Sequence, residues 1–150
     1  MASAEYLPAL HWPSYWTAPN PLQRFLLGVP VVGLQARVRD GFERQLRSRG
    51  PGWDERWTNV DCDPDTRRTV SAVIQRWFEW PNDHFIPEDT FGILIWDWRA
   101  YFIDDLTVSS AVEELETQLG LPRLSDEEWE DLLPLPFDEV LGRLWRRTQR

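Results

Sequence analysis

Any chemistry in this chain has to come mainly from carboxylates. Asp83, Glu88 and Asp89, with Asp97, Asp104 and Asp105 downstream, could gather at one end of a helical bundle. Hard oxygen ligands of this kind suit a divalent cation. Their spacing matches no EF-hand, however, and Asp104 and Asp105 have an adequate alternative use as helix caps. Caps and solvated loops are therefore the preferred reading. The two histidines, His11 and His84, lie far apart, and neither has a partner at metal-ligand spacing. Cys62 stands between Asp61 and Asp63, a setting that raises a thiol pKa and disfavours the thiolate. As the single cysteine it leaves no disulfide within the chain and no cysteine-based metal cluster. All sixteen basic residues are arginine, so no lysine nucleophile is present. There is no glycine-rich phosphate loop and no Gly-x-Ser-x-Gly. The expectation is a protein that is not an enzyme and has no catalytic residue, cofactor or metal.

The elements that would position these groups read as helices. Asp104 to Gly120 carries Val108, Ala111, Val112, Leu115 and Leu119 on one stripe. Gly120 is a natural stop, and Glu113, Glu114 and Glu116 make the opposite face acidic. Asp63, Pro64 and Asp65 open another helix as cap, first residue and dipole complement. Val70, Val73, Ile74, Trp77 and Phe78 form its stripe, and Trp80-Pro81-Asn82-Asp83 stops it. Ser125 with Glu128 three residues later is a capping-box pattern before Trp129, Leu132 and Leu133. The last helix has Phe137, Val140, Leu141, Leu144 and Trp145 on one face, with arginines near its end. Residues 22–49 also read as helical, with a break near Pro30. Val31, Leu34, Val38, Phe42 and Leu46 form its apolar face, and Arg37, Arg39, Arg44, Arg47 and Arg49 mostly decorate the rest.

Residues 63–148 resemble acyl carrier proteins. The stretch from Asp104 is similar to that family's second helix, which opens with Asp-Ser-Leu. Here Asp104-Asp105-Leu106 stands in its place, with Ala111, Val112, Leu115 and Leu119 following at the family's spacing. Asp126-Glu127-Glu128 and Pro136 to Leu141 match the turn and last helix that follow, and Phe85 to Phe91 matches the loop before. The resemblance implies a four-helix bundle with an acidic docking helix. It also carries a departure: Asp105 replaces the attachment serine, and Ser109 and Ser110 lie about one turn further on. An insertion over 92–103 would sit beside the place where a carrier's prosthetic arm emerges. The resemblance thus implies the fold without the phosphopantetheine arm.

The expected fold class is mainly α: a carrier-like four-helix bundle with an N-terminal Trp/Pro-rich arm and an extra Arg-rich helix. Residues 1–62 are expected to pack on the bundle of residues 63–150 as one folded unit, since a chain of 150 residues suits a single domain. Ten tryptophans supply much of the apolar area, and each buried indole N–H needs an acceptor. Prolines at 8, 13, 19 and 21 make the first stretch an extended arm. The net charge of −9 argues against nonspecific nucleic-acid binding. It is unevenly spread: residues 21–60 hold seven arginines against four acids, and residues 61–150 nine against twenty. No apolar run approaches the roughly 18 residues of a membrane span, and no secretory signal pattern opens the chain. A cytoplasmic location is expected, with the oligomeric state left open.

The function these features favour is binding a basic protein partner through Glu113, Glu114 and Glu116. A small-molecule or enzyme site in a Trp-lined pocket and membrane-surface association through residues 6–34 are the alternatives. One prediction follows from Asp105. Incubation with a promiscuous phosphopantetheinyl transferase and coenzyme A should leave the intact mass unchanged; a gain of one phosphopantetheine unit on any serine would refute it.

Overall fold

A computed structural model describes residues 8–11, 34–95 and 106–150, and these are mainly helical. In chain order they form α1 (Leu34–Ser48), a 3-10 helix (Pro51–Trp57), α2 (Pro64–Phe78) and the single turn α3 (Phe91–Leu94). Then come α4 (Leu106–Leu119), the short α5 (Asp126–Leu132) and α6 (Phe137–Thr148). Among the described residues there is no β-strand, only an isolated bridge between Thr90 and Pro136. The expected helix before Pro30, most of the aromatic arm, Asp97, Asp104 and Asp105 lie outside the described residues.

Local signals account for the ends of these helices. Asp63 caps α2, its carboxylate accepting from the Thr66 N–H at 2.8 Å, with Pro64 in the first turn. Ser125 and Glu128 close the capping box of α5 from both sides. Gly120 ends α4 with φ of 66°, the left-handed conformation that glycine enters at little cost. Pro51 opens the 3-10 helix directly after Gly50.

α2 lies at the centre, packed against both α4 and α6. Its Val70, Val73, Ile74 and Phe78 meet Ala111 and Leu115 of α4 and Phe137, Val140, Leu141 and Leu144 of α6 in one core. α1 joins the same core through Val38, Phe42 and Leu46, all essentially inaccessible. Aromatic edges lock the middle: Trp57 and Phe85 both meet the Phe137 ring nearly perpendicularly, with centroids 5.7 and 6.0 Å away. Buried indoles find acceptors as expected. Trp57 donates to the Phe85 carbonyl and Trp80 to that of Leu94, both at 2.9 Å.

The described part of the connection after α2, residues 79–95, is tied by backbone hydrogen bonds to residues 133–138. The N–H groups of Phe91 and Gly92 donate to the Leu135 and Leu133 carbonyls, and those of Phe137 and Asp138 to the Asp89 and Pro87 carbonyls. Approach is close enough that a Cβ on Gly92 would lie 2.9 Å from the Leu133 carbonyl oxygen. Glycine is required there by space.

Two arginines expected to decorate α1 are instead buried. Arg39 donates to the Phe78 and Glu79 carbonyls at the C-terminal end of α2 and lies over the Trp80 ring. The guanidinium thus caps carbonyls at the end of the helix, where the regular ladder of N–H donors runs out. Glu79 itself has φ of 51°, a conformation unusual for a residue with a Cβ. Arg49 makes a two-pronged ion pair with Asp89, both bonds 2.7 Å, where neither side chain reaches solvent to any extent. Arg49 also donates to the His84 and Pro8 carbonyls, and Asp89 accepts from the N–H groups of Leu10 and Ile86. Asp89 is thus neither a solvated loop residue nor a cation ligand.

Asp89→Ala leaves a buried guanidinium unpaired and two backbone donors without an acceptor. It should cost about 3–5 kcal/mol, seen as a lower urea midpoint at unchanged slope. A loss below about 1 kcal/mol would show that water replaces the carboxylate. Replacing Arg49 and Asp89 together by apolar residues should recover only part of the loss, because the same carbonyls and N–H groups remain buried.

Candidate functional site

The three glutamates expected to form a solvated acidic face are used in three different ways. Glu113 is exposed. Glu114 turns toward α2, where it accepts from Arg76 and from the Trp77 indole, and its Oε1 also takes the Gln118 amide at 2.7 Å. Glu116 turns toward α5 and accepts from the Trp129 indole at 3.0 Å. The picture of one uniform outer face is therefore corrected at Glu114 and Glu116. Tryptophans on neighbouring helices draw them inward, because an indole N–H near the core needs an acceptor.

The turn of Glu116 toward α5 helps to shape a groove of about 400 Å³. Val112, Leu121, Leu124 and Trp129 give it apolar walls, and Glu113, Glu116 and Asp126 make it acidic, with Arg123 the one basic residue lining it among the described residues. Asp126, Glu127, Glu130 and Asp131 on adjoining α5 are all exposed. Glu128 differs: the Ser125 N–H and then Arg147 hold its carboxyl below the usual range. The arrangement can seat an apolar side chain while attracting positive charge.

The remaining candidates are dispersed. His11 and His84 are not brought together into a site. His84 stacks on Trp53 with centroids 4.8 Å apart, and its Nδ1 is buried without a hydrogen-bond partner. His11 is exposed, its Nδ1 3.2 Å from the Ala9 carbonyl. Among the described residues no three His, Cys, Asp or Glu side chains are grouped to hold a metal ion. Asp83 is exposed, and Glu88 pairs with Arg56.

A smaller cleft of about 240 Å³ lies between the 3-10 helix and the start of α2, lined by Trp57, Cys62 and Arg67 among others. That is below the roughly 300–1,000 Å³ of ordinary ligand sites. Arg67 lies over the Trp57 ring and pairs with Asp54. The Cys62 thiol is pushed up chiefly by burial, with Asp63, Asp138 and Asp61 adding to the effect and Arg67 opposing it. Burial was absent from the reading of its acidic neighbours, and it is the larger cause. Burial likewise raises Asp138.

Trp145, expected on the buried face of α6, is 39 % exposed. The sequence named Asp89 as a candidate carboxylate and Arg49 as a surface residue but gave no sign that they pair, and Gln45 went unnoticed; these partners lie more than thirty positions apart. No helix among the described residues is long and apolar enough to cross a membrane. Comparison of the chain with protein-family models, with curated proteins and with solved structures finds no match in any of the three.

Cys62 supplies a pH test. Its alkylation by iodoacetamide at neutral pH should be slower than that of an unfolded cysteine peptide, with the rate rising only above the ordinary thiol range. The same shift makes the folded state lose stability as pH rises through that range, because the unfolded chain releases the proton first. A rate equal to the peptide's would remove the argument from burial.

Proposed function

We propose that this chain is a non-catalytic protein–protein interaction module with a carrier-like helical bundle and no phosphopantetheine arm, and that its partner is basic. Support for the carrier-like part comes from helix order. Among the described residues after 63 come two long helices with the single turn α3 between them, then a short helix and a final long one, with α2 against both α4 and α6. The resemblance sets Asp105 where the family carries its attachment serine, and aspartate has no hydroxyl to modify.

The observation that carries the functional reading is the groove between α4 and α5. Its apolar walls offer a seat for a side chain, and Glu113, Glu116 and Asp126 favour a positively charged neighbour. Such charges choose partners and speed encounter more than they add affinity. Glu114 is occupied by Arg76 and Trp77, so it acts by holding α4 in place rather than by touching a partner.

The test is a Glu113→Arg/Asp126→Arg variant. Both side chains are exposed, and the greater loss, at the first turn of α5, should stay within about 1 kcal/mol. Affinity capture from the native lysate should recover a basic partner with wild type and lose it with the variant. The wild-type interaction should also weaken in high salt. A folded variant that keeps every partner would refute the reading.

A further inference from the structure

Residues 8–11 are held on the body of the protein in the way a receptor holds a peptide. The Gln45 side chain reads the His11 backbone in both directions: its Oε1 accepts the His11 N–H and its Nε2 donates to the His11 carbonyl, each at 2.9 Å. The Leu10 N–H donates to Asp89 Oδ1 at 2.9 Å, and the Pro8 carbonyl accepts from Arg49 Nη2 at 3.1 Å. Leu10 is the one side chain of the four that is buried, 4 % exposed and part of the main core. Pro8 and His11 face solvent and Ala9 is half-buried.

Two of the groups that read this segment, Asp89 and Arg49, have other partners that hold them. Asp89 is fixed by both prongs of Arg49 and by the Ile86 N–H, and Arg49 in turn by the His84 carbonyl. Both side chains are almost wholly buried. A site organised before its ligand arrives loses less entropy on binding. Recognition of backbone plus one leucine asks little of the ligand's remaining side chains. The intervening residues, 12–33, could span roughly 70 Å if fully extended. That is enough chain for the segment to serve a neighbouring molecule instead of its own.

We propose that the cleft between α1 and residues 84–89 is a binding site for an extended, leucine-bearing peptide. Residues 8–11 are its tethered occupant, and the same segment of a second copy of the chain is its ligand in trans. The site is separate from the α4–α5 groove and does not rest on the reading of that groove.

The test uses the full chain carrying Leu10→Asp, whose own segment cannot bury the new charge, and a fluorescein-labelled peptide of residues 5–14. Anisotropy should show saturable binding at least about tenfold tighter than to wild type, whose tethered segment competes at high effective concentration. A peptide with Leu10→Asp should not bind. A folded Leu10→Asp chain that fails to bind the wild-type peptide overturns the proposal.

Should that variant not fold, a protease site inserted within residues 12–33 of the otherwise wild-type chain replaces it. After cleavage the N-terminal fragment should stay bound through gel filtration and exchange for labelled peptide. Its release, or retention without exchange, overturns the proposal. For the second copy, light and nitrogen-15-labelled wild-type chains are refolded together from urea at high concentration. Native mass spectrometry should show mixed dimers that a Leu10→Asp pair lacks, and their absence removes the second copy as the ligand.

Discussion

The Arg49–Asp89 pair is the contact on which the rest of the arrangement depends. Burying two charges is expensive, and their attraction offsets the lost hydration only when every remaining lone pair and N–H is also used. That condition is nearly met here. Asp89 takes two backbone N–H groups besides the guanidinium, and Arg49 reaches two backbone carbonyls. The pair thereby fixes residues 8–10, the end of α1 and the 84–89 turn relative to one another. The Asp89 carbonyl extends the same junction to α6 by accepting from the Phe137 N–H. An apolar pair of equal volume could fill the space but could not hold these backbone groups.

A second layer of order comes from polar groups that reach between helices. Arg39 of α1 closes the end of α2, Glu114 of α4 takes an arginine and an indole from α2, and Glu116 takes an indole from α5. Tryptophan suits this role because it buries a large ring while its N–H demands a specific acceptor. The result is a bundle whose helix rotations are set by directional bonds as well as by packing. It also explains why the acidic surface is concentrated at Glu113 and along α5 instead of covering α4.

Much of the helical framework was legible in the sequence because its signals are local. Asp63-Pro64, the Ser125/Glu128 box, Gly120 and the apolar stripes of α2, α4 and α6 each act within a turn or two, and the structure has them in those roles. What could not be read depends on residues distant in sequence. Arg49 and Asp89 are separated by forty positions and Leu10 from Asp89 by seventy-nine. No periodicity distinguishes a buried arginine from an exposed one on the same helix. The turn of Glu114 and Glu116 toward tryptophans of other helices was hidden for the same reason, as was the exposure of Trp145 at the edge of its stripe. The candidate groove was half legible: its acidic residues stood out, but the turn of α5 against α4 that gives it walls did not.

The distance between Leu10 and Asp89 also has a consequence during synthesis. The ribosome delivers Leu10 seventy-nine residues before its carboxylate acceptor. At about 5–20 residues per second, that leaves Leu10 without its seat for roughly 4–16 s. The earlier-made segment thus waits for its seat, and the nascent chain carries an uncovered apolar anchor throughout the interval. On a polysome, several such anchors coexist at high local concentration, so translation rate and chaperone access bear directly on whether each chain closes on itself.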